Sequence, residues 1–155
     1  MEVFLNSNRL KQNEIVSYNE AQGALDIEIK NQYLTTLIMK DVSLKQPYIH
    51  AIIENIKYGE ISKGHIVLSY IPPLPANDIH SYVISVYKQN SILNNYTNNR
   101  FLNLNDYIFK NDLSLVIPEF QFNVKSIPNR NKESIIPSII SPILTSPSSP
   151  VFKES

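Results

Sequence analysis

The chain has 155 residues, enough for one domain with its own core, and no cysteine, which excludes disulfides and thiolate chemistry. Its formal net charge is zero, so nothing calls for the basic face of a nucleic-acid-binding protein. No run approaches the roughly 20 apolar residues of a membrane-spanning helix, and residues 1–10 lack the apolar core of a secretion signal; the expected location is cytoplasmic.

Taken in chain order, residues 25–30 (LDIEIK) alternate apolar and charged side chains, the period of a half-buried strand. Residues 34–39, 49–53 and 66–70 are short apolar runs with β-branched or aromatic content and turn-forming boundaries, which favours strand over buried helix. Residues 80–87 give the strongest strand signal. Asn103 or Asn105 can cap a helix over 103–111, whose Leu104, Tyr107 and Ile108 fall on one face. A last strand is expected near 115–124, with Pro118 marking an edge or a bulge. The reading is a mainly β domain over residues 1–125, followed by a tail over 126–155. The tail is rich in proline and serine and is expected to be extended or disordered in part. Its isoleucines, Ile135, Ile136, Ile139, Ile140 and Ile143, are too apolar for a plain linker and suit packing along the domain or docking to a partner.

Of the three histidines, His50 and His80 fall inside expected strands. Alternation puts His80 and Tyr82 on one face and turns His50 away from Ile49 and Ala51. Asp41 follows the strand at 34–39, and Pro72-Pro73-Leu74-Pro75 forms a stiff loop ahead of the His80 strand, a common kind of binding element. Taken singly, each residue has a plainer reading: a hydrogen-bonded core histidine, or a turn aspartate.

Their order along the chain is more specific. Thr36–Asp41, Tyr48–Ile56, Ser69–Pro75, Ile79–Gln89 and the helix after Phe101 resemble, in order and spacing, the corresponding segments of the phosphatidylethanolamine-binding protein family. The likeness covers roughly residues 33–124 and is most specific over 70–89. It implies a large antiparallel sheet packed on a smaller one, with one or two short helices. It also implies a small anion pocket, whose residues here are Asp41, His50, His80 and Tyr82, with Pro72 and Pro73 as its wall. The ligand so implied is phosphate-like or a phospholipid head group, and the partner a kinase or protease under regulation.

In such a pocket imidazole and phenol groups donate to phosphate oxygens, and an adjacent aspartate favours the imidazolium. The sequence departs from the family pattern at Ser43, which stands for a second acidic residue, at Ile49 for a first histidine, at Ile71 for a glycine and at Ser81 for an arginine. The flanking prolines of the acidic motif are absent, and Glu54 occupies an apolar position of the pattern. An interaction protein with a degenerate pocket, acting through its surface or tail, is therefore the alternative. An enzyme using Asp and two His for a metal or for acid–base work has neither a nucleophile signature nor metal-ligand spacing behind it. A binding or regulatory role without catalysis, metal or cofactor is the expectation.

Overall fold

The computed structural model describes residues 1–127. The expected tail lies outside the described residues from Pro128 onward. The described chain is mainly β, with two sheets and two short α-helices.

The smaller sheet has the order β2-β1-β4, from β1 (Glu2–Leu5), β2 (Asn8–Arg9) and β4 (Leu25–Glu28), all antiparallel. Both β1 and β4 alternate buried and half-buried residues, so Val3, Leu5, Leu25 and Ile27 form one apolar face. Between these strands lie β3 (Ile15–Ser17) and α1 (Tyr18–Ala21). Ser17 and Glu20 start α1 with a reciprocal capping box: the Ser17 hydroxyl accepts from the Glu20 amide, and the Glu20 carboxylate accepts from the Ser17 amide.

The larger sheet runs β3-β10-β8-β5-β6-β7. It is built on β5 (Leu34–Asp41), β6 (Tyr48–Lys57) and β8 (Ile79–Lys88), flanked by β7 (His65–Leu68) and β10 (Phe120–Lys125). Its pairings are antiparallel except β3 with β10, which run parallel. The single last strand expected over 115–124 is corrected to two. β9 (Ser114–Leu115) and β10 both pair with β8, and Pro118, which has no amide to donate, lies in the break between them.

Both faces of the larger sheet are covered, which is why its central strands read as continuous apolar runs. On one face Leu37, Met39, Ala51, Tyr82, Ile84, Val86 and Phe122 pack against the apolar face of the small sheet. On the other, Ile38, Ile49, Ile52 and Tyr87 meet Tyr107 and Leu113, with Leu104 and Ile108 alongside. These come from α2 (Leu104–Lys110), capped by Asn103, and its exit. Each fully buried Leu or Ile contributes about 2 kcal/mol.

Two bulges shape β6. Met39 pairs with Ala51 and Lys40 with Ile49, so His50 is an extra residue with no partner on β5. Thr35 pairs with Ile56 and Leu37 with Ile53, a second shift, at which Asn55 adopts a left-handed backbone (φ 58°). A bulge re-aims the side chains around it, and the first one decides the geometry of the candidate site.

Candidate site at the end of the central strands

Asp41 is the last residue of β5 and lies opposite both Tyr48 of β6 and Tyr82 of β8. The three central strands thus bring Asp41, His50, His80 and Tyr82 to one end of the sheet. The expected alternation fails at His50. The unpaired bulge residue does turn away from Ile49, which packs in the other core, but it shares its side of the sheet with Ala51. Its ring meets Tyr82 edge-on at 5.2 Å between centroids and Tyr48 at 5.0 Å.

The polar contacts are specific. Nδ1 of His80 lies 2.7 Å from Oδ2 of Asp41, with both side chains largely buried. Oδ1 of Asp41 accepts from the Ser43 amide at 2.9 Å, and the Ser43 hydroxyl accepts from the Ser81 amide at 2.7 Å. The Val42 amide donates to the Ser81 carbonyl. Ser43 and Ser81, two of the departures from the family pattern, therefore clip the end of β5 to the start of β8 without the absent prolines.

His50 is bracketed by Ile71. The Ile71 amide donates to the His50 carbonyl at 2.9 Å, and the Ile71 carbonyl lies 2.7 Å from His50 Nδ1. A carbonyl can only accept, so Nδ1 carries the hydrogen. Beyond Ile71, Pro72 and Pro73 are buried. The Pro73 carbonyl accepts from Gln22 at 2.7 Å, which ties the loop to the exit of α1.

Arg100, which no pattern in the sequence singled out, closes one side. Its guanidinium donates to the carbonyls of Ile49, His50 and Ser69, backbone groups at the end of the β6–β7 ladder. Its own carbonyl accepts from Ile49. Phe101 next to it packs edge-on against Tyr48. The available signal was slight: an arginine and a phenylalanine together in an asparagine-rich stretch.

The electrostatics correct one expectation. Burial pulls the His50 pKa down to about 4, overriding the Ile71 hydrogen bond and the charge of Asp41, both of which raise it; Arg100 and His80 add to the depression. His50 is therefore neutral at ordinary pH, and the adjacent aspartate does not make it an imidazolium. Burial, then the neighbouring Asp41 carboxylate, push the Tyr82 phenol well above the ordinary tyrosine range, so it stays protonated. Among the described residues no group of three or more His, Cys, Asp or Glu side chains is arranged to hold a metal ion.

Glu54 and His65 belong elsewhere. Glu54 is fully buried on the opposite face, where it accepts from the Tyr107 hydroxyl and the Asn95 side chain at 2.5 Å each and from the Asn95 amide at 3.3 Å. His65 Nε2 lies 3.0 Å from the Asn95 carbonyl. A cleft of about 470 Å³ beside α2, lined by Tyr96, Leu102, Asp106, Tyr107 and Phe109, adjoins this network.

Comparison with solved structures fixes the architecture. A protein from Chlamydia trachomatis, described as a phosphatidylethanolamine-binding protein homolog, superposes with a TM-score of 0.53 at 14% identity, over 81% of this chain and 97% of that one. The fold is that of phosphatidylethanolamine-binding proteins. No protein-family model matches the sequence, and no curated protein matches it. The sequence resemblance thus leads to the correct fold, including a large sheet packed on a smaller one. No helix among the described residues is long and apolar enough to cross a membrane.

Proposed function

We propose that this chain is a non-enzymatic binding or regulatory protein that captures a small phosphate-like anion at Asp41, His50, His80 and Tyr82, with Pro72 and Pro73 as wall. The observation that carries the reading is the largely buried Asp41–His80 pair, 2.7 Å apart, beside His50 at the end of the central strands. With Nδ1 held by Asp41, a protonated His80 offers its Nε2–H to an anion as a charge-assisted donor. Arg100 adds positive potential nearby. The fold it shares with a phosphatidylethanolamine-binding protein homolog agrees with a phosphorylated ligand, whether phosphate or a lipid head group. Modulation of a kinase or protease partner belongs to the same proposal.

A second reading, a degenerate pocket in a protein that acts through its surface or tail, is favoured by one observation. Both oxygens of Asp41 already have partners, in Ser43 and His80. A histidine-resolved NMR titration with phosphate and phosphoethanolamine separates the two. Saturable shifts at His50 and His80 that vanish in His80→Ala are the expected result. The absence of shifts at millimolar ligand refutes the anion site and leaves the second reading standing.

A further inference from the structure

The site described above contains an acceptor that its anion would have to satisfy. In neutral His50 the only ring hydrogen is on Nδ1, and it is spent on the Ile71 carbonyl at 2.7 Å. Nε2, on the far side of the ring, is left as a bare lone pair and makes no hydrogen bond among the described residues. The bracket is rigid, because the Ile71 amide returns a bond to the His50 carbonyl and Arg100 holds the same carbonyl from a second direction. Tyr48 and Tyr82 pack edge-on against the ring. The ring therefore has no freedom to turn and present Nδ1–H to a ligand.

Resting on the anion-site reading, we infer that the site reads a proton on its ligand: it takes a phosphomonoester as the monoanion, whose P–OH donates to His50 Nε2, and rejects oxyanions that lack that hydrogen. A sulfate ester and a phosphodiester both carry a single negative charge but have only acceptor oxygens. Against His50 Nε2 such an oxygen places lone pair on lone pair, with neither group hydrogen-bonded, the costly arrangement in a buried site. The charge balance agrees. Asp41 of β5 is the acidic group at the site, His80 of β8 and Arg100 are the basic ones, and the phenols of Tyr18, Tyr70 and Tyr82 stay neutral. A dianion entering beside Asp41 would meet the most repulsion. Burial, which keeps His50 unprotonated down to about pH 4, holds the acceptor open across the whole range in which a phosphomonoester exchanges its second proton, about pH 6.

The test uses the full chain and two isosteric probes, methyl phosphate and methyl sulfate, titrated by calorimetry and by the ring nitrogen shifts of His50. Below about pH 6 methyl phosphate is mainly a monoanion with the same charge and shape as methyl sulfate, and differs in one hydrogen. The expected result is a preference for methyl phosphate of about tenfold or more, the worth of one buried hydrogen bond against an unsatisfied group. The preference narrows as pH rises through the second phosphate pKa, and the His50 Nε2 shift moves in the direction of an accepted hydrogen bond. Methyl sulfate corrects for titration of the protein itself, because any proton the protein gains affects both probes. Equal affinity for the two probes overturns the inference and leaves the anion site intact. Binding of neither overturns both. His50→Asn keeps a donor for the Ile71 carbonyl but removes Nε2; a preference that survives in that variant also overturns the inference.

Discussion

Protonating His50 is the perturbation that tests the site's geometry through stability. Its folded-state pKa is lowered from 6.5 to about 4, so between those values the unfolded chain binds a proton that the folded chain does not. Stability therefore rises with pH across that window: the contribution is fully present above about pH 6.5 and is lost progressively as pH falls toward 4. Within that window each pH unit is worth up to about 1.4 kcal/mol, so acidification from neutral pH to about pH 4.5 costs the folded state about 2 kcal/mol through this one group. His50 is only 4% exposed, so solvent screening does little to reduce the figure. Urea unfolding of the wild type and His50→Asn, near neutral pH and at about pH 4.5, isolates it, since carboxylates titrating in the same window do so in both proteins. The stability difference between the two proteins should move by about 2 kcal/mol against the wild type on acidification. An unchanged difference would refute the assignment of His50 as a buried neutral acceptor.

Other outcomes follow from named contacts. Asp41→Ala removes the partner of His80 and the acceptor of the Ser43 amide, and urea unfolding should show a loss of about 3 kcal/mol; hydrogen exchange should quicken at Val42 and Ser43. Glu54→Ala leaves the Tyr107 hydroxyl and the Asn95 amide group without their acceptor, a loss of about 3 kcal/mol, whereas Glu54→Gln keeps an acceptor and should lose less in the same measurement. Gly59→Ala should cost about 2 kcal/mol or more in thermal unfolding, because Gly59 has φ 75° and an added Cβ would fall 2.0 Å from the Ile29 carbonyl oxygen.

How much the sequence disclosed depended on whether a feature was periodic. The strands β5, β6 and β8 were legible because their apolar runs are long and β-branched, and α2 because Asn103 caps it ahead of Leu104, Tyr107 and Ile108. Asp41 and Tyr82 converge because they pair across β5 and β8, and His80 stands two residues before Tyr82 on the same face of β8. The bulge at His50 was invisible: it depends on how β5 and β6 are paired, and a strand read alone shows only alternation. Arg100 was missed for a similar reason, since it acts on the backbone carbonyls of Ile49, His50 and Ser69, groups common to every residue type. The N-terminal strands and α1 went unread although Val3 and Leu5 alternate with their neighbours and Ser17-x-x-Glu20 is a capping box. The burial of Glu54 had no signal, because its partners come from residues 95 and 107, far along the chain.

The most direct test of the central claim is where a phosphate ester sits. Intermolecular NOEs from the methyl protons of bound methyl phosphate, observed on the full chain, report its neighbours. Contacts to the ring protons of His50 and His80 and to the ring of Tyr82 are the expected result. Contacts only to Tyr96 and Phe109 in the cleft beside α2, or none at saturating ligand, would contradict it.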